Sequence, residues 1–223
     1  MSALSGRVGR QKPIGSTTSP FIRVSQKVFV VSQKAVVELL RALAAAMGEA
    51  GIRWYLLGAQ AAIIWGSARL SADVDVTAAL DPALIDDFTA AMRRHGFDLT
   101  FGDPDFVLRT RVLPFRHAAS GMPLDVVLAG PGLEEDFQAR AIPTDIDGVL
   151  VPVISAEDLI VTKVLAGRPK DIEDIRSVIH ERRSSLDVDR IRTILHLLEE
   201  ALGQSDLLPV FEKEWKKRSV PYL

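Results

Sequence analysis

From Ile52 to Val76 the chain spells out a strand, a tight turn, a helix and a second strand, and the second strand carries two carboxylates. Ile52-Arg53-Trp54-Tyr55-Leu56-Leu57 is aromatic and aliphatic, which favours a short strand ending at Gly58. Ala59 to Trp65 lacks Pro and Gly and is long enough for nearly two helical turns. Asp73-Val74-Asp75-Val76 alternates with period two like a half-buried strand, so both acids point to one side, about 7 Å apart along the chain. A segment of this order constrains the chain to a sheet with helices packed on it. One cation can sit between the two acids.

A chain of 223 residues can bury a sizeable core and fits one large domain or a larger domain followed by a smaller helical one. The absence of cysteine rules out disulfides, thiolate metal sites and a cysteine nucleophile, and it fits a reducing compartment. With a formal charge of -2, any nucleic-acid contact needs a local basic patch. The first residues carry Arg7, Arg10 and Lys12 among Gly, Ser and Pro without the apolar run of a signal peptide, and no later run approaches about 18 apolar residues. The expectation is a soluble, cytoplasmic protein with a flexible segment over 1–25 and no membrane partner.

Ser32 to Ala50 sets Val36, Leu39, Leu40, Leu43 and Met47 at helical spacing, and Gly51 follows as a stop. Asp81 with Pro82 starts a helix that reaches Arg94 ahead of Gly96. Phe106 to Leu113 and Leu124 to Leu128 read as strands, and Val149 to Val153 as one at an edge, because Pro152 cannot donate to a ladder. From Ser155 the pattern turns helical. Ser155 and Asp158 resemble a capping box, Gly167-Arg168-Pro169 breaks the helix, and Lys170 to His180, Leu186 to Leu202 and Leu207 to Lys217 supply three more. The chain thus divides near residue 154.

Asp125 lies inside Pro123-Leu124-Asp125-Val126-Val127-Leu128, where a charge is costly unless it is paired or metal-bound. Asp73, Asp75 and Asp125 on neighbouring strands suit two Mg²⁺ ions, which prefer hard oxygen ligands; for Asp125 a cap or salt bridge at a strand end is the other reading. The Gly58-Ala59 turn either brings backbone N–H groups and a helix N-terminus against phosphate or is simply a tight turn. Arg109, Arg111, Arg116 and His117 form a local basic stretch. Arg109 and Arg111, on one face of the expected strand, either meet an anionic acceptor such as RNA or offset Asp103, Asp105 and Asp125. His95, His117, His180 and His196 have no partner at metal-ligand spacing and read as surface or turn residues.

Leu57 to Val76, Asp125 in its apolar strand, and Lys163 with Lys170-Asp171-Ile172-Glu173-Asp174 resemble the AbiEii-type branch of the nucleotidyltransferase superfamily. That superfamily places a Gly-Gly or Gly-Ser turn before an Asp-x-Asp pair and a third carboxylate on a later strand. Gly58 and Ala59 match the turn, Asp73 and Asp75 the pair, and Asp125 the third. Ala59 departs from the pattern in lacking a hydroxyl, although a backbone N–H contact survives the change. Arg69 and Ser71 match an arginine and a Ser or Thr found shortly ahead of the pair.

The resemblance implies an α/β (α+β) fold, with a nucleotidyltransferase-like mixed sheet flanked by helices over 26–154 and a helical domain over 155–223. It implies metal-dependent transfer of a nucleoside monophosphate from an NTP to a hydroxyl acceptor, with Asp73, Asp75 and Asp125 as catalytic residues and Mg²⁺ ligands. Gly58, Ala59, Arg69 and Lys163 would hold the NTP, Arg168 and Lys170 would flank the cleft, and Asp171 and Asp174 would pair with nearby bases to fix the helical domain. Proteins of this branch often act as toxins paired with an antitoxin, sometimes on tRNA, so tRNA and a cognate antitoxin are the expected partners. The alternative is a catalytically inactive nucleotide-binding or partner-binding protein with the same fold. A third reading is transfer to a small molecule such as an aminoglycoside.

Overall fold

Helix α1 (Gln26–Ala50) buries Val36, Leu39, Leu40, Leu43 and Met47 along one side and ends where Gly51 turns left-handed. The computed structural model describes residues 26–217, with side chains from residue 33, so the flexible segment expected over 1–25 lies outside the described residues. Strand β1 (Trp54–Leu57), α2 (Gly58–Trp65) and β2 (Val74–Ala78) follow. A tight helical turn (Pro82–Leu84) is capped by Asp81, which accepts from the Ala83 N–H at 2.9 Å, and leads into α3 (Ile85–Arg94). Next come β3 (Phe97–Leu99), α4 (Pro104–Thr110), β4 (Val112–His117), β5 (Pro123–Leu128), α5 (Leu133–Arg140), β6 (Ile142–Ile146) and β7 (Val149–Val153). Helices α6 (Ala156–Ala166), α7 (Pro169–Arg182), α8 (Val188–Leu202) and α9 (Leu207–Lys216) complete the described chain.

The strands form one mixed sheet in the order β3-β4-β5-β2-β1-β7-β6. β2 runs parallel to β5 and antiparallel to β1, and this register sets Asp75 opposite Asp125 on one side and opposite Leu57 on the other. Alternation along each strand puts Leu56, Val76, Leu113, Phe115, Leu124 and Val126 on the face away from the two acids. Those six side chains are buried, and α3 closes over them through Phe88, edge-on to Phe115 with ring centroids 6.0 Å apart. α2 packs against β1, β2, α6 and α7, beside the carboxylates. The result is the expected mixed α/β fold, a central mixed sheet flanked by helices with a helical C-terminal region.

Several local expectations give way to stronger neighbours. Instead of a strand over Phe106 to Leu113, Asp103 caps α4 by accepting from the Asp105 N–H at 3.1 Å, and Pro104 suits the first turn. The strand starts at Val112, after Arg111 ends the helix at φ 57°. Arg109 and Arg111 therefore share no strand face; they donate to the carbonyls of Asp105 (3.1 Å) and Leu128 (2.6 Å). β7 is not an edge, since β1 and β6 flank it. Pro152 is accommodated opposite Pro143, and β1 meets the end of β7, where the Ile154 N–H donates to the Leu56 carbonyl at 3.0 Å.

Ser155 caps α6, accepting from the Asp158 N–H at 3.1 Å, but Asp158 turns its buried carboxylate to Arg190 (2.8 Å) and Arg140 (3.4 Å). A desolvated charge gains more from cations than from completing the capping box. His117 is buried rather than superficial, bonded to Ser120 at 2.8 Å, and burial holds its pKa below the usual histidine range. His95 and His196 lie 2.7 Å and 3.4 Å from Glu49 and Glu200, both brought near by helix packing or helical spacing. β3, α5 and β6 are additional elements beyond those expected, α5 opening on the acids Glu134, Glu135 and Asp136 and closing on Arg140.

Candidate active site

The strand β1 ends at Gly58, and the chain turns there directly into α2. Gly58 has φ 68°, and a Cβ at this position would overlap the carboxylate of Asp75. Both the left-handed backbone and the contact demand glycine. The turn was expected to offer backbone N–H groups to phosphate; in the folded chain it packs directly against the Asp75 carboxylate.

Gly58, Ala59, Arg69, Asp73, Asp75, Asp125 and Lys163 line one recess of ≈ 250 Å³, together with Ser71, Arg168 and Lys170. Asp73 stands just before β2, Asp75 lies within it, and Asp125 faces Asp75 from β5. Burial lifts the pKa of Asp75 above the ordinary carboxylate range, and the charges of Asp125 and Asp73 lift it further, against the opposing Ala59 hydrogen bond and Lys163 charge. Burial and the charge of Asp73 raise Asp125 as well. Carboxylates that disfavour one another's ionisation make a place where a divalent cation relieves repulsion, so the donors fit Mg²⁺ in kind. Among the described residues no three His, Cys, Asp or Glu side chains form by themselves a group that could hold a metal ion. Mg²⁺ commonly keeps several waters or substrate oxygens in its shell, so one or two carboxylates meet its needs.

A basic wall faces the acids. Lys163, only 5% exposed, sets its Nζ 2.7 Å from Asp174 and 3.3 Å from Asp171. Asp174 is fully buried and also accepts from Ser67 Oγ and Arg69 Nε, each at 2.8 Å, while Arg168 Nε lies 2.6 Å from Asp171. Three cations against two carboxylates leave one positive charge in excess. Burial pushes Asp171 and Asp174 up, but hydrogen bonds from Arg168 to Asp171, and from Lys163, Arg69 and Ser67 to Asp174, more than reverse it and leave both below the ordinary range. Lys163 thus lines the recess with its ammonium bound to Asp174 and Asp171. Asp174 ties α7 to the segment after α2 through Ser67 and Arg69, and Asp171 ties it to Lys163 of α6 and to Arg168. Ser67 was not anticipated: a lone serine in a loop carries no signal until its partner arrives from α7.

A profile of the family described as nucleotidyltransferase of unknown function (DUF6036) matches residues 38–217. The chain belongs to this family. The superfamily expected from the turn, the acid pair and the later carboxylate is therefore the one observed. Among solved structures, the antibiotic-resistance factor ANT(2'')-Ia is similar in fold, with a TM-score of 0.53 at 14% identity over 77% of this chain and 95% of that one. An antigenic nucleotidyltransferase-like protein from Paracoccidioides brasiliensis gives a TM-score of 0.47 at 18% identity, over 81% of this chain and 92% of that one. No curated protein matches the chain. Among the described residues no helix is long and apolar enough to cross a membrane.

Proposed function

We propose that this nucleotidyltransferase moves a nucleoside monophosphate from an NTP to a hydroxyl acceptor in a Mg²⁺-dependent reaction. The observation that carries the reading is the meeting of Asp73, Asp75 and Asp125 with Arg69, Arg168 and Lys170 around one recess. Asp73 and Asp75 would hold Mg²⁺, with Asp125 as a third ligand. When bound, the metal supplies neutralising charge to the phosphates and to the departing pyrophosphate. Arg69, Arg168 and Lys170 attract the anionic triphosphate, and Lys163 keeps Asp171 and Asp174 in position behind them. Asp125, opposite Asp75 across the β2–β5 pair, takes the proton of the acceptor hydroxyl. The freed oxygen bonds to the α-phosphorus as the bond to the bridging oxygen breaks, and pyrophosphate leaves.

On the AbiEii resemblance, and on the excess positive charge of the recess wall, we extend this reading to tRNA as acceptor and to a cognate antitoxin as partner. The likeness to an antibiotic-resistance factor keeps a small hydroxyl compound as the competing acceptor class. The test is Mg²⁺-dependent labelling from each of the four NTPs, with total tRNA, protein and small hydroxyl acceptors, in the wild type and Asp73→Asn. Labelled tRNA that disappears in the variant is the expected result. Label on a small compound would replace the acceptor, and undiminished turnover in the variant would sink the metal-ligand assignment. Tight NTP binding with no label on any acceptor would favour an inactive binding protein.

A further inference from the structure

Gln60 sits in the first turn of α2, two residues beyond Gly58, and is only 7% exposed. It lines an apolar hollow of ≈ 170 Å³ whose walls include Val37, Leu40, Ile63 and Leu70. A primary amide in such surroundings is costly unless it is hydrogen-bonded. Gln60 meets that need across the chain: its Nε2 donates to the carbonyl of Ser71 at 2.9 Å and to the carbonyl of Asp73 at 3.4 Å. Those two carbonyls belong to the irregular segment that delivers Asp73 to the recess, just before β2 begins.

We infer that Gln60 is a positioning residue for Asp73: it clamps the 71–73 segment to the rigid start of α2 and so sets where the first carboxylate stands relative to Asp75 and Asp125. The geometry explains the choice of side chain. Residue 60 follows the Gly58-Ala59 turn, and Gly58 packs so closely on the Asp75 carboxylate that a Cβ there would overlap it. The same helical turn therefore meets both members of the acid pair, Asp75 by contact with Gly58 and Asp73 through the Gln60 amide. Ser71 assists from within the segment, its Oγ accepting from the Asp73 N–H at 3.4 Å. Gln60 reaches only carbonyl oxygens in these two bonds, so its effect on chemistry runs through the placement of Asp73.

The inference rests on the proposed role of Asp73, and the experiment separates the two. Gln60→Met keeps length and volume but removes the donor; Gln60→Asn keeps the donor but is too short to reach both carbonyls, and serves if the first variant folds poorly. Backbone amide order parameters across residues 71–73 and Mn²⁺ affinity by electron paramagnetic resonance are read beside thermal unfolding. Loss of two part-buried hydrogen bonds predicts lower order parameters in this segment, and Mn²⁺ binding weaker by about tenfold. Unchanged order parameters and unchanged Mn²⁺ affinity in a folded variant would overturn the clamp. Lower order parameters in a protein whose wild type binds no Mn²⁺ would uphold the clamp while removing the metal reading of Asp73.

Discussion

Replacing Asp174 with alanine tests how the basic wall is held together. Asp174 is fully buried and accepts from Lys163 at 2.7 Å and from Ser67 and Arg69 at 2.8 Å. Without it, the buried Lys163 keeps only Asp171 of its two carboxylates, at 3.3 Å, and Arg168 already engages Asp171 at 2.6 Å. Removing one partner of a buried ion pair costs about 3–5 kcal/mol, because the remaining charge stays out of water. For a chain of this size, each kcal/mol moves Tm by roughly 2–4 °C, so thermal unfolding should fall by roughly 6–20 °C. The companion is the double variant Lys163→Met with Asp174→Leu, which buries no uncompensated ammonium and should recover most of the loss. Arg69 does not spoil the comparison, since its side chain is 29% exposed and water can take over. A single-variant loss below about 1 kcal/mol would mean that the network behaves like a surface bridge. A double variant as unstable as the single one would refute uncompensated charge as the source of the cost.

Asp75→Asn should act in the opposite direction. Burial and the charges of Asp125 and Asp73 disfavour the ionised carboxylate, and a neutral amide of the same shape removes that cost. With chelator present, its Tm should rise above wild type; a fall would contradict the repulsion inferred among the three acids. Acid titration checks the other pair. Asp171 and Asp174 have folded pKa values below the ordinary range, so they stabilise the fold above that range and lose the effect as pH falls toward the folded values. In urea unfolding series from about pH 6 to about pH 3, the wild type should lose more stability than Asp174→Asn, and parallel curves would show that Asp174 contributes no such linkage.

Most elements around the recess were legible because their signals are local. Period-two alternation at Asp73 to Val76, the left-handed glycines at 51, 58 and 167, and the caps at Asp81 and Ser155 each describe one short stretch of backbone. The reading failed where two local signals competed. The apolar residues from Phe106 suggested a strand, yet the Asp103-Pro104 start signal prevailed and delayed β4 to Val112. Pro152 suggested an edge because the sequence does not reveal that Pro143 lies opposite it.

By itself, then, the sequence determined the strand–turn–helix–strand order, Asp75 on β2 with Asp73 just ahead of it, and the helical tail. Tertiary structure alone decided which groups meet. Asp125 faces Asp75 because β2 and β5 pair in the parallel register that buries Val74, Val76, Leu124 and Val126 together. Lys163 gives its charge to Asp174 and Asp171, Gly58 packs on the Asp75 carboxylate, and Gln60 reaches across to the carbonyls of Ser71 and Asp73. A charge or amide removed from water takes whatever partner the packed core brings within reach, and that partner is set by the whole core rather than by neighbours in sequence.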